Sequence, residues 1–303
     1  MKIYTLTLSP AYDVHADIKQ IKIGKESLAH TTARDAGGKG INISRALTSS
    51  GIDSTPIIVV GRENSDEFKR QLDSEGICPI YFELDGRIRE NLTFHAEDGV
   101  ETRISFEGFD IFADTLEKVE KSLDITDGDI VTVTGSIPSS LRVAYVKDMI
   151  KRLKKKGAHV IVDSRSFSLS DILEVAPYLI KPNEEEICGY LGISDCDFNS
   201  IEKSVSEFIE KGVENAIISL GERGAMLINK SGTYTVKAPK IKVKSTIGAG
   251  DSMIAGFIAA RTLGLSGRDS LRLAVSFGSG ACLTEGTKPP RPADVENIYK
   301  SLL

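Results

Sequence analysis

The chain has 303 residues, 41% of them apolar and 27% charged, with a formal net charge of −5 at pH 7. That length supports one large core or two smaller ones, and the balance excludes a disordered chain. The mild acidic excess, without a dominant Lys/Arg stripe, argues against nucleic acid as a partner.

The opening segment 2–8 reads as a strand and lacks the apolar run of a signal peptide. Residues 11–35 hold no clear helix. Asp35-Ala36-Gly37-Gly38-Lys39-Gly40-Ile41-Asn42 then opens a predicted helix over 41–49. This turn is neither a G-x-G-x-x-G fingerprint nor a P-loop. Gly37 and Gly38 allow close approach of a polar ligand, and Lys39 offers a point charge for phosphate; a plain loop fits the pattern as well. A strand at 56–60 and a helix at 65–74 follow. Residues 79–106 read as three strands separated by Asp85-Gly86 and Asp98-Gly99, and Asp-Gly is a strong hairpin signal. Strands at 130–134, 159–163, 178–180, 216–220 and 225–228 alternate with helices at 115–123, 141–155, 183–191, 201–211, 251–263, 268–283 and 293–302. Such alternation predicts a mostly parallel sheet covered on both faces. The basic run at 151–156 closes a helix before Gly157, where cations are favoured.

Several predicted strands end in small or polar residues: Thr134-Gly135-Ser136, Asp163-Ser164, Lys181-Pro182-Asn183 and Ser219-Leu220-Gly221. Ligands of open α/β sheets bind outside such carboxyl ends. The sharpest segment is Thr246-Ile247-Gly248-Ala249-Gly250-Asp251-Ser252, which opens an apolar helix. Its free N–H groups suit an anion. A carboxylate there repels phosphate unless it takes a proton from an attacking hydroxyl; Asp251 as a helix cap is the competing reading. The four cysteines, Cys78, Cys188, Cys196 and Cys282, form no C-x-x-C, and the four histidines do not cluster with them. That spacing speaks against zinc and fits a reducing, cytoplasmic compartment better than a disulfide framework. No segment approaches the roughly 18 apolar residues of a membrane span.

Taken in order, these segments resemble the PfkB (ribokinase-like) carbohydrate kinases nearly end to end. Thr5 to Asp13 is similar to the opening T-L-N-P-x-x-D of their phosphosugar branch, with Ser9 where many members have Asn. Ala36 to Asn42 resembles G-G-K-G-x-N, Thr134 to Pro138 S-G-S-[LI]-P, Lys181 to Glu186 K-P-N-x-x-E, Ser219 to Ala225 S-L-G-x-x-G-A, and Val243 to Ser252 the closing T-x-G-A-G-D-S. The resemblance implies a three-layer α/β/α sandwich with a small β-sheet lid, the core taking 1–10, 36–78 and 107–303 and the lid 11–35 and 79–106. It implies phosphoryl transfer from ATP with Mg²⁺, and K⁺ as a candidate second cation. The base falls on Asp251, with the anion hole on Gly248, Ala249 and Gly250. Asp13, Gly37, Gly38, Lys39 and Asn42 fall on the sugar side. Lys181, Asn183, Ser219, Gly221 and Gly224 fall on the nucleotide side, with Glu186 acting on the metal through water and Asn183 indirectly.

The branch resembled acts on phosphorylated hexoses, which requires cations near the lid. Candidates are Lys25, Lys39, Arg89 and Arg103, with Ser136 as a neutral donor. Arg89 and Asn91 are two apart and share a strand face; Arg suits bidentate phosphate contact. The expected activity is therefore phosphorylation of a fructose phosphate to fructose 1,6-bisphosphate, by a homodimer paired through its lids. Tagatose 6-phosphate, or an unphosphorylated sugar or nucleoside, is the alternative acceptor. A nucleotide-sensing binding protein is the alternative of another class, and the missing G-x-G-x-x-G disfavours a dinucleotide dehydrogenase.

Overall fold

The computed structural model describes residues 1–192 and 197–303; the reading of Cys196 lies outside them. In chain order the strands are β1 (Ile3–Thr7), β2 (Ala11–Ile18), β3 (Ala29–Gly37), β4 (Thr55–Gly61), β5 (Ile80–Leu84), β6 (Arg89–Ala96), β7 (Glu101–Ser105), β8 (Ile130–Thr134), β9 (His159–Asp163), β10 (Leu179–Ile180), β11 (Asn215–Ser219), β12 (Ala225–Asn229) and β13 (Gly232–Val236). The helices are α1 (Lys39–Ser49), α2 (Ser65–Ser74), α3 (Ala113–Lys121), α4 (Val143–Lys155), α5 (Leu169–Val175), α6 (Glu184–Leu191), α7 (Phe198–Glu210), α8 (Ala249–Thr262), α9 (Gly267–Ala281) and α10 (Pro292–Ser301).

A nine-stranded sheet runs β13-β12-β11-β10-β9-β8-β1-β4-β5. It is parallel from β5 to β11, and β12 and β13 extend it antiparallel. Its central strands are buried along their whole length, β1 and β8 without exception. Parallel strands covered on both faces need such near-continuous apolar runs. The helices supply the cover with one stripe each: α4 buries Val146, Met149, Ile150 and Leu153, and α7 buries Ile201, Val205, Phe208 and Ile209. Helix α8 differs, because every residue from Asp251 to Ala260 is buried. This ribokinase-like α/β fold is the one the sequence led to expect, with α5 and β13 added to the predicted elements. No helix of the described residues is long and apolar enough to cross a membrane.

A second sheet, β3-β2-β6-β7, stands beside the first. Its pairs β2/β3 and β6/β7 are antiparallel, and β2/β6 is parallel. The Asp98-Gly99 turn does join β6 to β7 as a hairpin. Asp85-Gly86 does not make one: β5 pairs with β4 in the large sheet, so residues 80–84 lie in the core rather than in the small sheet to which the sequence assigned 79–106. The half-exposed β5 has the alternation of either edge. Cys78 and Cys282 are free thiols. Cys188 is disulfide-bonded, where the sequence reading expected no such link.

Helix α2 ties the two sheets together. Tyr12 is fully buried, edge-on to Phe68 with ring centroids 5.4 Å apart, and the Arg34 guanidinium lies 3.4 Å over its ring. Its hydroxyl donates to Asn64 O at 2.8 Å. The Asn64 carboxamide accepts from Ile88 N (2.8 Å) and donates to Ile88 O (3.0 Å). Gln71 makes the same double contact with a second crossing, accepting from Ala36 N (2.6 Å) and donating to Arg34 O (3.0 Å). Two of the four crossings between the sheets, at the start of β6 and the end of β3, are thereby fixed to one helix and its N-cap.

Helix α1 crosses β1 at Gly40. A Cβ there would sit 2.5 Å from Thr7 Oγ1 and 2.6 Å from the Leu6 carbonyl oxygen. Gly40→Ala should therefore destabilise the fold by about 1–3 kcal/mol, the usual range for overpacking. A urea melt with an unchanged midpoint would show that α1 can shift to make room.

Candidate active site

Because the sheet is parallel from β5 to β11, Thr7, Thr134, Asp163, Lys181 and Ser219 all arrive at the same edge. Helix α8 begins at that edge. Its N-cap is Gly248 at φ 76°, and no side chain caps the helix. The left-handed backbone there is one glycine adopts without strain. The capping reading of Asp251 is thus replaced: its carboxylate turns inward, 7% exposed, and accepts a hydrogen bond from Asn42 Nδ2 at 2.8 Å. Ala249 N–H turns back to Thr246 O at 3.3 Å. The N–H groups of Gly250 and Asp251 have no protein acceptor among the described residues. Unused donors at the start of a helix attract anions.

A second carboxylate shares this place. Asp163, at the end of β9, is 7% exposed and accepts from Lys39 Nζ at 2.8 Å. Lys181 is also buried, and its Nζ lies where a Cβ on Gly250 would come within 2.9 Å. The two carboxylates respond differently. Burial favours protonation of Asp163, but Lys181 and Lys39 outweigh it and hold the group below the usual carboxylate range. Burial raises Asp251 to about 6, assisted by Asp163 and opposed by Lys39, the Asn42 hydrogen bond and Lys181. Burial works against the charge on Lys39, yet Asp163 and then Asp251 keep its pKa above the ordinary value. One carboxylate is a fixed anion, and the other sits near neutrality, where a general base is most effective. Sequence reading named Asp163 only as a strand end; its partner Lys39 is 124 residues away.

On the small sheet, Asp13 and Asn91 face each other across β2 and β6. Asp13 Oδ1 accepts from Asn91 Nδ2 at 2.8 Å and from Arg103 Nη2 at 3.4 Å. Its other oxygen lies against Gly37, where a Cβ would be 2.2 Å away. Arg89 Nη1 reaches Asn91 Oδ1 at 3.4 Å, and its buried Nε has no partner. Burial lowers the Arg89 pKa, with Arg103 adding to the effect and Asp13 opposing it. Two guanidiniums against one carboxylate leave a positive excess beside an unused donor. Gly38 is the α1 N-cap, next to Gly37; Ser136 is exposed beside Gly135, which faces Lys39. Lys25 is not gathered in. It is exposed at the tip joining β2 to β3, and the strand leading there carries it on the order of 20 Å from Asp13.

On the other side of α8, an open cleft is lined by Lys181, Asn183, Ser219, Gly221, Gly224 and Gly250, among others. Asn183 caps α6 and Glu186 completes a capping box with it, each side chain taking the other's backbone N–H. The remaining Glu186 oxygen accepts from Arg165 Nε at 2.8 Å. Among the described residues, no cluster of three or more His, Cys, Asp or Glu is suited to hold a metal by itself.

A family model described as pfkB family carbohydrate kinase matches residues 9–294. The chain is 35% identical over 280 residues to the 1-phosphofructokinase of Escherichia coli K12, covering 92% of this chain and 90% of that protein. It is 29% identical over 306 residues to the ATP-dependent 6-phosphofructokinase isozyme 2 of the same organism, covering 100% and 99%. The crystal structure of Escherichia coli phosphofructokinase-2 in complex with substrates and products superposes with a TM-score of 0.92 at 29% identity, over 100% of this chain and 99% of the other.

The buried Asp251 carboxylate has a consequence for stability. Its pKa is raised from 3.8 to about 6. Through that window the folded chain binds more protons than the unfolded one, so this group lowers stability as pH rises. Relative to wild type, Asp251→Asn should gain up to about 3 kcal/mol between about pH 4 and about pH 8. Parallel melts at both pH values, with no change in the difference, would mean that Asp251 is not desolvated.

Proposed function

Because this chain belongs to the pfkB family of carbohydrate kinases, we propose that the site transfers the ATP γ-phosphoryl group to a hydroxyl of a fructose monophosphate, giving fructose 1,6-bisphosphate and ADP. The observation that carries the reading is Asp251: a buried carboxylate with a pKa near 6, beside unused N–H groups of a helix N-terminus. The acceptor hydroxyl gives its proton to Asp251 as its oxygen bonds to phosphorus and the bond to the ADP oxygen breaks. The Gly250 and Asp251 N–H groups, where the Gly248–Gly250 turn runs into α8, hold the charge on the phosphoryl oxygens, and Lys181 stands beside them. Charge stabilisation of this kind is the main work of a phosphoryl-transfer site.

The cleft beyond α8 takes the nucleotide, with Ser219, Gly221 and Gly224 along it. Mg²⁺ fits this donor set, since it binds through one or two carboxylates and the substrate phosphates and keeps several waters. Glu186, reached through water, and Asn183 behind it would hold that ion, which offsets phosphate charge. Asp13 and Asn91 hold sugar hydroxyls over the Gly37-Gly38 turn. Arg89, with its unpartnered Nε, and Arg103 take the phosphate already on the acceptor, with Ser136 as a neutral donor. Asp163 holds Lys39 within the acceptor side. The small sheet serves as a lid over this space. Its outer positions Ile23, Leu28, Val100 and Ile104 are 45–99% exposed, an apolar surface that suits pairing of two lids in a homodimer.

ADP release is the direct test, with ATP and Mg²⁺, with and without K⁺, against fructose 1-phosphate, fructose 6-phosphate, tagatose 6-phosphate and free fructose. A fructose phosphate should give the highest kcat/KM, and preference for free fructose would remove the phosphate role of Arg89. Asp251→Asn should lose at least about 10² in kcat. Light scattering should report a dimer, and a monomer at working concentration would end the lid-pairing proposal.

A further inference from the structure

Behind the proposed base runs a chain of contacts that the reaction scheme above does not use. Asn42 and Arg45 lie three residues apart on α1 and so share a face. Both are buried, at 8% and 5% exposed. Asn42 Nδ2 donates to Asp251 Oδ2 at 2.8 Å, and Asn42 Oδ1 accepts from Arg45 Nη1 at 3.2 Å. The guanidinium is in turn gripped from its far side by Glu75, with Nε 2.5 Å from Oε2 and Nη2 3.0 Å from Oε1.

The polarity of this chain follows from what each group can do. A guanidinium only donates and a carboxylate only accepts. The carboxamide between them satisfies both in a single orientation, with its oxygen toward Arg45 and its NH₂ toward Asp251. Remove the guanidinium and only the ionised Asp251 carboxylate still holds the amide that way round, so that the amide is free to turn over once Asp251 takes up a proton. Its oxygen can then face Asp251, where it favours a protonated carboxyl group. Solvation is no alternative at this depth, and a buried amide oxygen without a donor is itself destabilising.

We propose that Arg45 is a positioning residue for the phosphoryl-transfer reaction: gripped by Glu75, it orients the Asn42 amide so that Asp251 keeps one oxygen hydrogen-bonded and the other open to the acceptor hydroxyl. This rests on Asp251 being the base. Arg45 touches neither substrate, and its effect passes entirely through Asn42.

The test is the pH dependence of kcat for wild type, Arg45→Met, Glu75→Gln, Asn42→Ala and Asn42→Ala/Arg45→Met, with Asp251→Asn as the control for the base. Arg45→Met should move the acidic limb upward by about half a pH unit or more, lower kcat at neutral pH and leave the KM for ATP unchanged. Glu75→Gln should move the limb the same way by less, and the double variant should lose no more kcat than Asn42→Ala alone. A purely structural role would lower the melting temperature with the limb in place, and that result overturns the proposal. So does a double variant whose losses multiply. Should Arg45→Met fail to fold, an unmoved limb in Glu75→Gln is sufficient to reject it. If Asp251→Asn stays near wild-type activity, the base assignment itself falls; loss of activity there with unmoved limbs elsewhere rejects only the role of Arg45.

Discussion

The site depends on keeping two carboxylates and the Lys181 ammonium together away from water, with the half-buried Lys39 at their edge. Asp163 and Asp251 are each 7% exposed, and Lys181 is 5% exposed. Alone, either carboxylate at that depth would be protonated at neutral pH. The lysines do not rescue them equally: Lys39 bonds directly to Asp163, whereas Asp251 receives only an uncharged amide donor. This asymmetry separates the proton affinities of two otherwise similar groups. It leaves Asp251 the one whose protonation state can change during a reaction cycle at neutral pH.

That arrangement constrains the fold around it. Asp251 reaches the dry position because α8 is buried on all sides and starts at the carboxyl edge of the sheet. Asp163 reaches it because β9 ends there. Asn42 comes from α1, which packs close on β1 only because residue 40 has no side chain. Three elements distant in sequence converge within hydrogen-bond reach, and the sheet that carries them is nearly continuous apolar sequence. A core of that kind holds charged groups at fixed positions without reorganisation.

What could be read in the sequence follows from whether its signal was local. Apolar runs, the Gly-Ala-Gly-Asp turn and the Asp98-Gly99 hairpin are local, and each marked an element or a place where a ligand could sit. Residues 80–84 were assigned to the wrong sheet because an edge strand has the same alternation in either, and an Asp-Gly pair can turn the chain without closing a hairpin. The Asp163–Lys39 pair left no trace because its members are 124 residues apart. Arg45 reads as an ordinary solvated helix residue until α2 is seen to cover it. Lys25 has the charge for a phosphate but lies at the exposed tip beyond the end of β2. Composition records a charge and not its position.

Helix α2 bears on both halves of the site. From its N-cap and first two turns, Asn64, Phe68 and Gln71 hold two of the four crossings between the sheets. From its C-terminal end, Glu75 holds Arg45 behind Asn42. The small sheet that carries Asp13 and Asn91 and the Asn42 amide bonded to Asp251 are thus referenced to one element. Phosphoryl transfer needs the attacking oxygen within about 3–3.5 Å of phosphorus and its proton aimed at the base, and an error near 1 Å costs on the order of 10² in rate. Two parts mounted independently on flexible loops would accumulate such errors. Mounted at two ends of a ten-residue helix, they share a common frame, and substitutions in α2 far from any ligand can disturb alignment without removing a catalytic group.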